Sequence, residues 1–265
     1  MPSLNSRLRR EGIGRINNRS ASAPATAADR TVVLLQDAFT SLFEPELVID
    51  TCRLIRHLGY NVSVHTFFEN GKALHIKGYL DRLRRVVRKN LDHLLPLQEA
   101  GFTFVAIEPS VALTYRDEYV HFGPDEARQL KVRTVQEWLD LVLGGIDPVR
   151  SPAPPPRATL LPHCMESAGD PHLTASWPAI FARFGIDLKV ESVGCCGMAG
   201  IYGHEVEHAA TSKAIYEGQW RDKVEQHREN GAVLATGFSC RHQADRCASA
   251  HLEHPVCFLR RILIP

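Results

Sequence analysis

The sequence predicts a protein of the α/β class, organised as two halves that repeat one another and carry mainly parallel sheets. Short apolar runs typical of buried strands alternate with longer, amphipathic helical patterns along the chain. A proline-rich linker, DPVRSPAPPPR at 147–157, divides this alternation in two, since neither a helix nor a central strand continues through it. Strands that alternate with helices are typical of βαβ units, in which the strands run parallel.

The first half, residues 31–146, contains three predicted strands and four predicted helices. Apolar and alternating runs predict strands at Thr31–Gln36, Asn61–Thr66 and Phe102–Ile107. Periodic apolar positions predict helices at Glu44–Leu58, Lys72–Ala100, Pro109–Tyr119 and Val135–Leu143.

The second half, residues 158–265, repeats the alternation. Its predicted strands are Thr159–Leu161, Leu188–Glu191 and Ala232–Ala235. Its predicted helices are Leu173–Phe184, Glu205–Glu225 and Arg241–Ala250.

Two correspondences indicate that the halves are copies of one another. A strand lies between Gly59 and Gly71 in the first half and between Gly185 and Gly197 in the second, and both spacings are 12 residues (71 − 59 = 12; 197 − 185 = 12). After the third strand, EPSV at 108–111 corresponds to GFSC at 237–240. We therefore expect two Rossmann-like units that arose by internal duplication.

Composition excludes several classes of protein. The 265 residues include 31 Lys+Arg against 30 Asp+Glu, so the net charge of +1 gives no support to nucleic-acid binding. The basic run at 82–89 is interpreted as a solvated face that could dock an acidic partner. No apolar run approaches the length of about 18 residues that a transmembrane helix needs, which leaves only peripheral membrane association open. An odd count of seven cysteines is atypical of a secreted disulfide framework, so we expect reduced thiols in a cytoplasmic protein.

Residues 1–30 are predicted to form a disordered basic tail. They hold six arginines against the acidic residues Glu11 and Asp29 and show no apolar periodicity. Our interpretation is a solvated linker, although an Arg- and Ser-rich composition is also typical of a mitochondrial transit peptide.

Four cysteines that follow the predicted strands of the second half are the candidate metal ligands. Cys164 follows the first strand, Cys195 and Cys196 follow the second, and Cys240 follows the third. Because the carboxyl ends of parallel strands meet at one edge of a sheet, we expect the four thiols in one crevice. Thiolates favour iron–sulfur clusters, zinc or Cu(I). The predicted helix start at Cys240 also favours the thiolate form.

Residues beside these cysteines are expected to contact the cofactor. Successive residues of a strand face opposite sides, so adjacent cysteines reach one centre only from an irregular loop. Gly194, Gly197 and Gly200 allow such a loop and let backbone N–H groups approach sulfur. His163 and Arg241, each next to a candidate ligand, complete the predicted cofactor-binding set, and for His163 both support of a ligand and direct ligation stay open.

The order C…CCG…C resembles the cysteine-rich CCG domain of heterodisulfide reductase B subunits and of the iron–sulfur subunits of glycolate oxidase and anaerobic glycerol-3-phosphate dehydrogenase. It is more similar to the C-terminal iron–sulfur domain of bacterial FAD-linked D-2-hydroxyacid dehydrogenases, of the D-2-hydroxyglutarate or D-lactate type. The segments that carry this resemblance are QDAFTSLFEPELV (36–48), NGKALHIKG (70–78), TYRDEY (114–119), GCCGMAGIYGHE (194–205) and GFSCRHQ (237–243). Together they cover most of residues 31–265.

The resemblance implies an electron-transfer module. It implies a 4Fe–4S cluster, of cubane or non-cubane type, held by Cys164, Cys195, Cys196 and Cys240, with a four-thiolate zinc site as the alternative. A flavin domain would oxidise the 2-hydroxyacid, and the metal centre would pass electrons to an acceptor that the sequence does not identify. The chain has no G-x-G-x-x-G after a strand, so FAD is expected only on a partner domain or subunit, and this chain alone is not expected to turn over the hydroxyacid.

The chain departs from the family pattern in both halves. The first half has Glu69-Asn70-Gly71 where Cys-Cys-Gly would stand and Val111 where the later cysteine would stand, so no cluster is expected there. Many relatives carry CxxC where the second half reads Cys240-Arg241-His242-Gln243, which leaves the cluster type open. Two further functions stay open: a non-redox protein with structural zinc, and a fragment of the fused dehydrogenase that lacks activity alone.

Two other features have simpler interpretations. The string HEVEH at 204–208 matches the H-E-x-x-H pattern of zinc proteases, but it directly follows the cysteine loop, so we favour a polar helix start. Cys52, Cys247 and Cys257 are interpreted as small core residues. Cys247 is the spare candidate ligand because it lies two helical turns beyond Cys240.

Overall fold

A computed structural model of the chain describes residues 3–17, 30–145, 156–229 and 231–264. The chain divides into two compact units, one of residues 1–135 with 260–265 and one of residues 136–259. The boundary thus falls between Val135 and Gln136. Most of the proline-rich linker predicted at 147–157 lies outside the described residues.

The first unit contains a wholly parallel five-stranded sheet. Its strands are β1 (Gly14–Ile16), β2 (Thr31–Leu35), β3 (Asn61–His65), β4 (Thr103–Ala106) and β5 (Val132–Thr134). They are arranged in the order β1-β3-β2-β4-β5. All five residues of the central β2 are buried, as expected for a strand covered on both faces. The three predicted strands are confirmed, and the short outer strands β1 and β5 are additions.

The prediction of a disordered tail is wrong for residues 4–16. Leu4–Arg10 forms helix α1. Ser3 is its N-cap, and the Ser3 hydroxyl accepts from the Ser6 amide at 3.3 Å. Leu4 and Leu8, one turn apart, are buried and supply the apolar contact that the Arg-rich composition concealed. β1 then adds to the sheet beside β3. Residues 18–29 lie outside the described residues.

Among the described residues before position 124, six more helices follow. They are α2 (Ala38–Phe43), α3 (Pro45–His57), α4 (Lys72–Ile76), α5 (Leu80–Glu99), α6 (Pro109–Arg116) and α7 (Glu118–Phe122). A 3₁₀ turn follows at Asp125–Gln129.

The single helix predicted at Lys72–Ala100 is two helices. Gly78 adopts a left-handed conformation with φ of 74° and ends α4. The Gly78 amide donates to the His75 carbonyl and the Tyr79 amide to the Leu74 carbonyl, which is the hydrogen-bond pattern of a Schellman cap. The helix predicted at Pro109–Tyr119 likewise divides into α6 and α7, at Asp117.

The second unit contains a wholly parallel three-stranded sheet. Its strands are β6 (Arg157–Leu161), β7 (Asp187–Val190) and β8 (Ala232–Ala235), in the order β7-β6-β8. The remaining helices, in chain order, are α8 (Val135–Leu143), α9 (Cys164–Gly169), α10 (Pro171–Ala182), α11 (Ala209–Tyr216), α12 (Asp222–Arg228), α13 (Phe238–Ala248) and α14 (Pro255–Leu263).

The helix predicted at Glu205–Glu225 is wrong over its first four residues. Two 3₁₀ turns, Tyr202–His204 and Val206–His208, flank Glu205, whose backbone is extended. α11 begins only at Ala209, and a π-helical turn at Glu217–Arg221 joins it to α12.

The strand registers of the two units confirm the predicted duplication. The first residue of β2 pairs with the first of β3, and the first residue of β6 with the first of β7. The second residue of each central strand pairs with the first residue of β4 or β8. Gly59 and Gly185 are both left-handed, with φ of 82° and 68°, as are Gly71 and Gly197, with φ of 92° and 89°.

Each unit encloses its own apolar core. In the first unit, the core includes Val33, Leu83, Phe104 and Tyr115, and in the second it includes Leu161, Trp220, Val233 and Cys196. In the part of the chain that the structure describes, no helix is both long and apolar enough to cross a membrane.

Candidate metal centre

Three segments of the second unit leave its sheet at the same edge and carry the four candidate ligands. Cys164 is the first residue of α9, shortly after β6. Cys195 and Cys196 lie in the loop that follows β7. Cys240 lies in the first turn of α13, which begins three residues after β8. Because the sheet is parallel, the carboxyl ends of its three strands share one edge.

The four thiols influence one another's protonation in series. The pKa of the Cys195 thiol responds to the Cys164 and Cys196 thiols, and the pKa of the Cys196 thiol responds to the Cys195 and Cys240 thiols. Cys196 and Cys240 are buried, whereas Cys164 and Cys195 are half-buried. The four candidate ligands thus lie on segments that leave one edge of the sheet, and their joint ligation of one metal centre stays a prediction.

Sulfur–sulfur hydrogen bonds set the charge preference within this group. Hydrogen bonds from the Cys164 and Cys196 thiols, followed by those from backbone amides, lower the pKa of the Cys195 thiol to about 2. The hydrogen bond to Cys195, together with burial, raises the pKa of Cys164. Hydrogen bonds to Cys195 and Cys240, with burial, raise the pKa of Cys196. Of these three thiols, Cys195 is thus the one whose surroundings favour the thiolate.

Backbone amides of the cysteine segments point at sulfur. The Gly197 amide donates to the Cys195 sulfur at 3.3 Å, and the Ala199 amide also lowers the pKa of that thiol. The Met198 and Met165 amides act in the same direction and partly offset the raised pKa of Cys196 and Cys164. Amide donors of this kind stabilise thiolates and tune the potential of a bound cluster.

Gly197 lets this loop pack closely on α11. Its φ of 89° is left-handed, and a Cβ at this position would lie 2.2 Å from the carbonyl oxygen of Ser212. Gln243 of α13 donates to the Ser212 hydroxyl at 2.8 Å, so α11 and α13 hold the loop together. Arg246 donates to the Gly203 carbonyl at 2.8 Å and fixes the end of the loop.

The other two predicted glycines shape the loop at its ends. The Gly194 carbonyl accepts from the Trp220 indole at 3.0 Å, and a Cβ there would lie 2.5 Å from Gln219 Oε1. Gly200 is left-handed with φ of 69°. Contact of these glycines with a cofactor stays a prediction.

His163 caps a helix. Its Nδ1 accepts from the Met165 amide at 3.1 Å, and its own amide donates to Glu166 at 3.1 Å, which forms a capping box at the start of α9. The ring lies against the backbone of Gly237, where a Cβ would be 2.1 Å from His163 Cδ2. Its predicted role toward a cofactor stays a prediction.

Arg241 is a buried cation whose guanidinium contacts backbone carbonyls. It donates to the carbonyls of Ala235 and Thr236 at 2.9 Å each, where β8 turns into α13. Arg241 therefore holds the turn that presents Cys240, and its predicted contact with a cofactor stays a prediction.

Sequence reasoning missed a buried polar network under the site. Glu166 is fully buried. Its carboxyl group accepts from the side-chain amide of Gln136 at 2.6 Å, from the Thr236 hydroxyl and from the backbone amide of His163. Burial raises the pKa of Glu166 to about 7. The network joins the Cys164 segment to the end of β8. A glutamate three residues after a helix N-cap is the signal that could have identified its first link.

The remaining cysteines are placed apart from these four thiols. Cys52 is buried in the first unit, where burial raises its thiol pKa to about 12. Cys247 is half-buried on α13 beside Lys213 and Arg246, and Cys257 is half-buried on α14. Across the described ranges, which include the four candidate ligands, no group of three or more His, Cys, Asp or Glu side chains has the arrangement needed to hold a single metal ion.

The HEVEH segment does not form the helix that a zinc-protease site requires. His208 pairs with Glu205 at 3.0 Å and stacks on Tyr202 with ring centroids 3.9 Å apart. His204 lies beside His242 at a centroid distance of 5.3 Å.

In the first unit, the loop that corresponds to the cysteine loop is held by hydrogen bonds from a side-chain amide and a hydroxyl. The Asn90 amide donates to the Glu69 carbonyl at 2.8 Å, and the Tyr119 hydroxyl donates to the Asn70 carbonyl at 2.9 Å. Val111, at the position that corresponds to Cys240, is buried in the apolar core.

The chain is similar to known dehydrogenases. It is 39% identical over 241 residues to the D-2-hydroxyglutarate dehydrogenase of Escherichia coli K12 and 38% identical over 228 residues to that of Pseudomonas putida KT2440. These matches cover 88% and 86% of this chain but only 23% and 22% of the relatives. The chain therefore spans less than a quarter of the length of these relatives.

A second type of relative is one subunit of an enzyme, the anaerobic glycerol-3-phosphate dehydrogenase of Escherichia coli K12. The chain is 26% identical to this subunit over 261 residues, a match that covers 92% of this chain and 62% of the relative. No family model matches the chain. The relationship to dehydrogenases is thus carried by both kinds of relative.

Proposed function

We propose that the chain is an iron–sulfur electron-transfer module of an FAD-linked D-2-hydroxyacid dehydrogenase, of the D-2-hydroxyglutarate or D-lactate type. The observation that carries this proposal is that the four cysteines lie on three separate segments that leave one edge of a parallel sheet. The similarity to D-2-hydroxyglutarate dehydrogenases supports the redox setting.

The donor set suits the proposed cluster. Four thiolates are the usual ligands of a 4Fe–4S centre, and the Gly197 amide donates to the Cys195 sulfur at 3.3 Å. When bound, such a cluster supplies one-electron transfer between a reduced flavin and an acceptor. Cys164, Cys195, Cys196 and Cys240 would hold it.

The protein's own residues divide the work of holding this site. The buried Cys196 and Cys240 anchor its inner side, and the half-buried Cys164 and Cys195 form the side that a redox partner can approach. The Glu166–Thr236 hydrogen bond fixes the Cys164 segment to the end of β8. FAD and the hydroxyacid would bind a partner domain or subunit.

Anaerobic purification tests the cofactor. We expect a brown protein with iron and acid-labile sulfide in equal amounts, whose visible absorption is bleached by dithionite. A colourless protein with stoichiometric zinc and no iron would support the structural zinc site instead.

Reduction by a flavin tests electron transfer. We expect photoreduced FAD, added anaerobically, to bleach the visible band of the wild-type protein and to produce an EPR signal. The Cys257→Ser variant should behave in the same way, whereas Cys240→Ser should show neither change. An iron–sulfur protein that reduced FAD leaves fully oxidised would contradict the proposed electron-transfer role.

A further inference from the structure

A cationic groove lies on the first unit, away from the cysteine segments in the sequence. Its volume is about 650 Å³, and one wall is formed by Arg84, Arg85, Arg88 and Lys89 of α5. Among the described residues that line it, Asp92 is the one acidic residue. With His121 neutral, the lining carries four positive charges and one negative charge.

The helical pattern of α5 explains why these cations share one side. Leu83, Val87 and Leu91 are buried in the core and define the inner face of the helix. The four cationic residues are exposed on the remaining surface. Arg84 and Arg88, and likewise Arg85 and Lys89, are spaced four residues apart, a spacing at which like charges repel on a helix.

Among the residues that the structure describes, only one of these four cations has a counter-ion. Arg84 pairs with the exposed Asp81 at 2.7 Å. In the described ranges, Arg85, Arg88 and Lys89 form no ion pair. A bound anion would therefore reduce the electrostatic repulsion between these three side chains.

The opposite wall is preformed and partly apolar. It consists of His121, Phe122, Gly123 and Pro124 at the end of α7. A Cβ on Gly123 would lie 2.4 Å from the Tyr119 carbonyl oxygen and 2.7 Å from Val87 Cγ1, so this segment packs closely against α5. Phe122 also packs on the core, and its ring lies tilted against that of His75 at a centroid distance of 5.2 Å.

We infer that this groove docks an acidic segment of a partner protein. The cations lie along two turns of one exposed helix, which matches a row of carboxylates along a polypeptide. Phe122 and Pro124 add apolar contact for the peptide backbone and side chains. Charge complementarity of this kind steers association and makes it sensitive to salt.

Fluorescence anisotropy with a labelled hexaglutamate peptide tests this inference on the full chain. We expect binding at low ionic strength that weakens as salt is added, and no binding of a hexaglutamine peptide. The double variant Arg85→Glu/Arg88→Glu should weaken binding by about tenfold or more. The control Arg9→Glu/Arg10→Glu makes the same change of net charge on α1 and should leave the affinity within about twofold.

Three results would overturn the inference. The first is failure of the wild-type protein to bind hexaglutamate at low ionic strength. The second is an equal loss of affinity in the groove variant and the α1 control, which would show that net charge alone accounts for the binding. The third is groove-dependent binding of tripolyphosphate without binding of hexaglutamate, which would assign the groove to a phosphate ligand. Cluster content measured on the same samples keeps this outcome separate from the fate of the thiol site.

Discussion

Cys195 differs from the other thiols of the site in the hydrogen bonds that its sulfur accepts. Two thiols and the amides of Gly197 and Ala199 donate to it, and these hydrogen bonds lower its pKa to about 2. Metal ligation requires deprotonated thiols. At the scale of single residues, the loop therefore favours the thiolate at Cys195 alone, and a bound metal would have to displace the protons of Cys164 and Cys196, whose pKa values are raised.

Gly197→Ala should disrupt the site. The new Cβ would meet the Ser212 carbonyl at 2.2 Å in a left-handed backbone, so we expect the free energy of unfolding to fall by more than about 2 kcal/mol and the metal content to drop. Gly59→Ala is the matched control, because Gly59 is also left-handed but has no atom within 4 Å of the added Cβ. Its expected loss is about 1 kcal/mol, with unchanged metal content. Equal losses in chemical denaturation would show that close packing at Gly197 does not matter.

His254 should make stability fall in acid. Burial, with the nearby Arg241 charge, lowers its pKa well below the usual 6.5. Below pH 6.5 the unfolded chain binds a proton that the folded protein excludes, so the free energy of unfolding should drop by about 1.4 kcal/mol per pH unit from this group. His254→Asn keeps an acceptor for the Val256 amide and removes the titration. Urea denaturation between neutral pH and pH 5 should therefore show a shallower slope for the variant, and identical slopes would contradict this assignment.

At the scale of secondary-structure elements, one buried network connects the segment that carries Cys164 with the segment that leads to Cys240. Glu166 of α9 accepts from Thr236 beyond β8 and from Gln136 of α8. Altering a buried acceptor that has three donors is costly, because any donor left without a partner stays buried without the hydrogen bond that offset its loss of contact with water. The relative position of Cys164 and Cys240 thus depends on this carboxyl group.

Glu166→Gln and Thr236→Val should each lower the free energy of unfolding by about 1–3 kcal/mol. Because the two side chains share a hydrogen bond, the double variant should lose less than the sum of the single losses. Equilibrium denaturation of the four proteins gives the coupling energy. Strict additivity would mean that the hydrogen bond contributes nothing to stability.

Sequence patterns identified the elements that apolar periodicity defines. The central strands β2 and β6 and the position of each cysteine after a strand follow from such runs. Elements of few residues were missed: β1 pairs three residues of an Arg-rich segment, and α1 depends on two buried leucines. The break at Gly78 was missed because a helical pattern continues on both sides of it. The hydrogen bond between Glu166 and Thr236 could not be predicted from the sequence, because 70 residues separate the two and only the tertiary fold brings them together.

At the scale of the whole molecule, one duplicated unit carries the thiols and the other does not. Both have the same central strand order and register. In the first, Asn90 and Tyr119 hold the loop at Glu69 and Asn70 through its carbonyls. The two units should therefore respond differently to the loss of a metal centre.

Hydrogen exchange should reveal this difference. Comparing the loaded protein with the chelated, reduced protein, we expect faster exchange in residues 162–167, 192–204 and 236–243, because a metal centre bound to the folded state stabilises the segments it joins. Exchange in β2, β3 and β4 should stay unchanged. Uniform loss of protection over both units would contradict a metal centre confined to the second.

The measurement that tests the central claim most directly is the iron and sulfide content of seven single Cys→Ser variants, purified anaerobically beside the wild-type protein. The wild type should hold about four iron and four sulfide per chain. Substitution of Cys164, Cys195, Cys196 or Cys240 should remove most of both, whereas substitution of Cys52, Cys247 or Cys257 should leave both unchanged. Full iron and sulfide in any two of the first four variants, or the same loss in all seven, would contradict the account.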